Sequence, residues 1–144
     1  MVERINLDRL REKCPDIAFF EMFDGEAHLG SSDRGTIFVV EKFSERTSDE
    51  RLIEDIRFVT SEMVSNASYH GNNLNPHKKI RINCGWMGIL FYGVVQDEGA
   101  GFDINNPHYH AGPPEGGMGI DLSRERVDLL YNIGNTVFFV KKVT

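Results

Sequence analysis

The chain has 144 residues and a formal net charge of −6, from 16 Lys and Arg against 22 Asp and Glu. That length suits one domain with a real hydrophobic core, so residues 1–144 are expected to form a single domain. Its only basic clusters are Lys78-Lys79-Arg81 and Lys141-Lys142, which argues against a nucleic-acid partner, and no apolar run approaches the ~20 residues needed to span a bilayer.

The first residues, MVERINLDRLREK, are charged throughout and lack the apolar stretch of a signal peptide, which points to the cytoplasm. Asn6 to Lys13 has the pattern of a short helix, and Ile17 to Phe23 reads as an aromatic strand ending at the turn signal Asp24-Gly25. A helix is expected from Ser32 to about Phe43, with Ser31, Ser32 or Asp33 as its N-cap and Ile37, Val40 and Phe43 inward. Thr47 or Ser48 can cap the next helix, whose first turn holds Asp49 and Glu50. Leu52, Ile56, Val59, Met63 and Ala67 draw one apolar stripe along it. Glu62 and Asn66 flank that stripe one turn apart, so both can address one ligand.

Gly71 and Asn72 are helix-stop residues. Beyond them Ile80, Ile82 and Cys84 alternate with Lys79, Arg81 and Asn83, as in a half-buried strand. Cys14 and Cys84 have no metal-ligand spacing and read as reduced thiols. Gly85 to Gly88 is expected as a hairpin into GILFYGVVQ, apolar on both faces like a central strand. The glycine-rich DEGAGFD follows, then a loop from Asn105 to Glu115. A helix is expected from the glycines near 117 through about Tyr131, with Ile120, Val127 and Leu130 apolar, and a last strand from Thr136 to Val143. Helices interspersed with antiparallel hairpin strands give an α+β fold, two layers with helices on one face of the sheet.

Three motifs stand in order: Glu62-x-x-x-Asn66-Ala67-x-x-His70-Gly71, Asp97-x-Gly99-x-Gly101-Phe102-Asp103, and Gly117-x-Gly119. They resemble the N, G1 and G2 boxes of the GHKL (histidine-kinase-like) ATPase superfamily. The HG ending of the first box and the run EGGMGI look most like the anti-sigma-factor serine kinases. The resemblance covers about residues 49–141 and implies a two-layer fold with a mixed, mainly antiparallel sheet.

That resemblance implies a serine-protein kinase using ATP and Mg²⁺. Its implied substrate is a small STAS-type anti-anti-sigma protein, with a sigma factor as a second partner and a homodimer as an assembly. Glu62 would be the general base. Asn66 would ligate Mg²⁺ through a neutral carbonyl oxygen. Asp97 would accept a hydrogen bond from the adenine amino group, with Gly99 and Gly101 allowing close backbone approach. Residues 105–115 would be an ATP lid, while Gly117, Met118 and Gly119 would offer phosphates the start of a helix. His70, Phe102 and Thr136 complete the implied nucleotide pocket, although Phe102 and Thr136 also suit plain structural roles. Two alternatives stand beside this one: a nucleotide-binding switch or adaptor that transfers no phosphate, and a detached histidine-kinase catalytic domain. Glu62 favours catalysis, since a pure binder needs no base there.

Overall fold

Among the described residues, five strands form one sheet in the order β1-β2-β3-β5-β4, and all four pairings are antiparallel. The structure, a computed structural model, describes residues 16–26, 33–101 and 117–144. In chain order the elements are β1 (Ala18–Phe23), a 3₁₀ turn (Asp24–Glu26), α1 (Arg34–Phe43), α2 (Glu50–Asn66), a π turn (Ala67–Gly71), β2 (Lys79–Met87), β3 (Leu90–Gln96), α3 (Gly117–Arg126), β4 (Leu129–Ile133) and β5 (Thr136–Lys142). The expected helix from Asn6 to Lys13, the lid at 105–115 and Phe102 lie outside the described residues. Among those described, no helix is long and apolar enough to cross a membrane.

Alternation in the strands sends Ile80, Ile82, Cys84, Trp86, Phe91, Val95, Val137 and Phe139 to one face. There they pack with Val39 and Phe43 of α1, Ile56, Val59, Met63 and Val64 of α2, and Ile120 of α3. The helices therefore form one layer and the sheet the other, as expected for an α+β fold. Tyr92 and Val94 are buried on the opposite face beside Ile17, Phe138 and Val140. The apolar character of β3 on both faces is thus used on both faces.

Helix starts follow from short polar side chains. Asp33 caps α1: its Oδ1 accepts from the Thr36 amide at 2.6 Å, and its Oδ2 accepts from the Thr36 hydroxyl at 2.5 Å. Asp49, rather than Thr47 or Ser48, caps α2 by accepting from the Arg51 and Leu52 amides. Ile37 was expected inward but is 46% exposed; Val39 at 1% and Phe43 at 0% carry the buried side of α1.

Two boundaries differ from expectation. The first hairpin is tighter than the Gly85–Gly88 reading: Met87 pairs with Leu90, leaving Gly88 and Ile89 as a two-residue turn in which Gly88 has φ +60°. The helix expected through Tyr131 ends at Arg126, and residues 129–133 are the edge strand β4 paired with β5. Val127 and Leu130 do sit at helical spacing, but Asp128 stops the helix. Its amide donates to the Val140 carbonyl and its carboxylate accepts from the Lys142 amide at 2.6 Å, which starts a sheet ladder instead.

Phe43 anchors α1 in an aromatic cluster, stacked on Trp86 at 5.3 Å and edge-on to Phe91 at 4.9 Å between ring centroids. Phe43→Ala is expected to cost about 3–5 kcal/mol, as large core truncations do. Denaturant unfolding checks this, and a loss below about 1 kcal/mol would deny the cluster its role.

Candidate functional site

The first motif straddles a change in helix type. Through Asn66 the chain is regular α-helix; from Ala67 to Gly71 it widens into a π turn, a distortion frequent at functional positions. Glu62 and Asn66 lie one turn apart, as their spacing requires. Asn66 is only 4% exposed, and its side chain is engaged in no hydrogen bond among the described residues. Glu62 is half-buried, and burial pushes its carboxyl pKa up.

The third motif comes directly against the first. A Cβ on Gly119, in the first turn of α3, would run into the Glu62 carboxylate. A side chain at 119 would have to push the Glu62 carboxylate aside, so with glycine there the helix start, with its N–H groups, comes directly beside Glu62. Gly117 begins that helix, with Met118 between the two glycines.

The second motif meets the end of the first. Asp97 follows β3 at 2% exposure, and its Oδ1 accepts from the Gly99 amide at 2.7 Å. A Cβ on Gly71 would collide with the Asp97 carboxylate, so the π turn rests directly on it. Gly99 lies against the Gly71 carbonyl, and Gly101 (φ +97°) approaches the backbone of Gly134 in the β4–β5 turn. Burial pushes the Asp97 carboxyl up more than the Gly99 hydrogen bond and nearby Lys78 pull it down. Burial also lowers the His70 pKa below its ordinary 6.5, which leaves a neutral imidazole at pH 7.

Two residues that complete this arrangement have no part in the motif reading. Asn72 is fully buried; its Oδ1 accepts from the Glu98 amide at 2.8 Å and its Nδ2 donates to the Lys79 carbonyl at 3.1 Å. It thereby pins the Asp97 loop to the start of β2. Asn135 donates from Nδ2 to the Asp97 carbonyl at 2.8 Å, while its own carbonyl accepts from the Asp97 amide at 3.1 Å. Thr136 belongs to this group: its hydroxyl donates to Asn135 Oδ1 and accepts from Gln96 Nε2. Asn72 looked like a plain helix stop, and Asn135 follows a turn glycine; only the fold shows what each holds. Arg34 packs over the Phe20 ring and faces Glu26, so it is a surface arginine.

Residues 32–141 match a family model described as the histidine kinase-like ATPase domain. The chain belongs to that family. Membership in the histidine kinase-like ATPase domain family implies nucleotide binding. The match includes all three motifs and leaves β1 and its following turn outside. The chain is also similar to the anti-sigma F factor of Oceanobacillus iheyensis, at 28% identity over 109 residues, covering 68% of this chain and 73% of that protein.

Proposed function

We propose that this chain is an anti-sigma-factor-like serine kinase that binds Mg²⁺-ATP and transfers the γ-phosphoryl group to a serine of a small STAS-type anti-anti-sigma protein. A sigma factor as second partner and pairing into a homodimer belong to the same reading. The likeness to an anti-sigma F factor supports the partner class. What carries the catalytic part is Glu62, a half-buried carboxylate with no ion pair among the described residues, one turn from Asn66 and against the helix start at Gly119.

The residues fit the ligands. Asn66 has an uncommitted amide oxygen, neutral and hard, of the kind Mg²⁺ accepts alongside phosphate oxygens. When bound, the metal neutralises charge on the transferring phosphate. Asp97 keeps one oxygen on Gly99 while its other receives no hydrogen bond among the described residues, which leaves an acceptor for the adenine amino group. Gly117, Met118 and Gly119 offer amides to phosphate oxygens at the start of α3. His70, neutral and next to Gly71, lines the pocket with Gly99, Gly101 and Thr136, and the same reading assigns Phe102 to the nucleotide.

Transfer needs little covalent chemistry from the protein. Glu62 takes the proton of the serine hydroxyl as its oxygen bonds to the γ-phosphorus. The bond from that phosphorus to the β–γ bridging oxygen breaks, and ADP leaves with the electron pair. Burial raises the basicity of Glu62, which suits it to receive that proton.

Calorimetric titration with ATP and ADP, with and without Mg²⁺, tests the binding half. Magnesium-dependent affinity for both nucleotides is expected. Absence of binding would overturn the reading and turn attention to an adaptor that works by protein contact alone. Binding without label transfer from γ-labelled ATP to any STAS-type protein would remove the kinase assignment.

A further inference from the structure

We propose that Asp24, which lies outside all three motifs, is a positioning residue for the adenine end of the site, acting through Ser68 on the π turn that rests against Asp97. This rests on the nucleotide reading above. Asp24 opens the 3₁₀ turn after β1, in a part of the chain that the family match leaves out. Its amide donates to the Lys78 carbonyl at 2.7 Å, and its carboxylate, 6% exposed, receives the Ser68 hydroxyl at 2.5 Å across 44 positions of sequence.

Ser68 is itself 2% exposed and lies inside the π turn, three residues before Gly71. Its carbonyl accepts from the Leu74 amide at 2.8 Å. The chain between them is strained, because Asn73 and Leu74 both adopt left-handed conformations, at φ +53° and +58°. A leucine rarely does so, and surrounding structure must hold it there. Leu74 is 53% exposed, so its side chain cannot supply that hold. The restraint comes from backbone bonds into the π turn, and the π turn is tied to Asp24.

The line of force ends at the recognition loop. Gly71 touches the Asp97 carboxylate, and Asn72, next in sequence, holds the Glu98 amide. Asp24 is near enough to Asp97 to make its ionisation harder. The Asp24 Oδ2 is buried without a hydrogen-bond partner among the described residues. Loss of the Asp24–Ser68 bond should therefore let the π turn shift off Asp97, and a site that discriminates by hydrogen bonding tolerates little such movement.

The test is calorimetric titration of the full chain with Mg²⁺-ATP and Mg²⁺-GTP, for Asp24→Ala, Asp24→Asn and Ser68→Ala, with a thermal melt for each. Asp24→Ala and Ser68→Ala are expected to weaken ATP binding about tenfold, the usual cost of removing a group that orients a ligand-binding residue. The preference for ATP over GTP should shrink with it. Asp24→Asn keeps an oxygen for the Ser68 hydroxyl and should restore both affinity and preference. Should Asp24→Ala fail to fold, Ser68→Ala carries the same expectation. Folded Asp24→Ala or Ser68→Ala with wild-type affinity and base preference overturns the proposal alone. A wild-type chain that binds neither nucleotide overturns the nucleotide reading and this proposal together.

Discussion

Glu62→Gln should leave Mg²⁺-ATP affinity unchanged and lower phosphotransfer by ~10²–10⁴-fold, the range a positioned general base contributes. Glutamine keeps the shape of the side chain and its contact with Gly119 but has no basic oxygen at neutral pH. Single-turnover transfer from γ-labelled ATP, beside a binding isotherm, separates the two effects. Full transfer by the variant would remove Glu62 as base, while loss of binding would make it a structural prop of the site. The wild-type rate also has a predicted pH dependence. Because burial raises the Glu62 pKa above 4.5, the acid limb of its profile should lie above that value. The sign of the stability effect is fixed by the same shift. A carboxyl with a raised folded-state pKa favours the folded chain below its unfolded pKa, and that advantage is lost as pH rises through the folded value. Glu62→Gln should therefore be at least as stable as wild type at pH 7.

Asp97→Asn should weaken ATP by ~10–10²-fold, the cost of leaving buried hydrogen-bonding groups mismatched. If the amide oxygen keeps the Gly99 bond, an NH₂ group stands where the second carboxylate oxygen was. Two donors then face each other, the adenine amino group and the new amide. The fold should survive, since burial already pushes the Asp97 carboxyl toward its neutral form and an amide avoids that burden. A melt at wild-type temperature with a much weaker isotherm is the expected pair of results. An unchanged isotherm would move adenine recognition elsewhere.

Where pattern and spacing carried physical information, the sequence could be read. Ile56, Val59 and Met63 fall on the buried side of α2 because helical geometry leaves that stripe one way to face. The alternation in β2 likewise set Ile80, Ile82 and Cys84 inward. The meeting of the motifs was legible only through resemblance, yet the glycines mark it physically: Gly119 lies against Glu62, and Gly71 against Asp97. β4 was not legible, because Val127 and Leu130 fit a helix as well as a strand and the decision belonged to pairing with β5. Asn72, Asn135 and the Asp24–Ser68 bond were hidden for another reason. Each joins segments far apart in sequence, and single polar residues carry no periodicity to announce it.

The chain has one tryptophan. Trp86 sits at the hairpin end of β2, stacked on Phe43, packed against Phe91 and covered by the Arg46 guanidinium 5.5 Å from its ring, while Asp97 follows the far end of β3. Its emission should therefore be blue-shifted in the native protein, report loss of the core on denaturation, and stay constant as nucleotide is added. Intrinsic fluorescence then gives each variant above an optical measure of folding independent of its ligand, so an impaired site and a melted chain can be told apart in one cuvette.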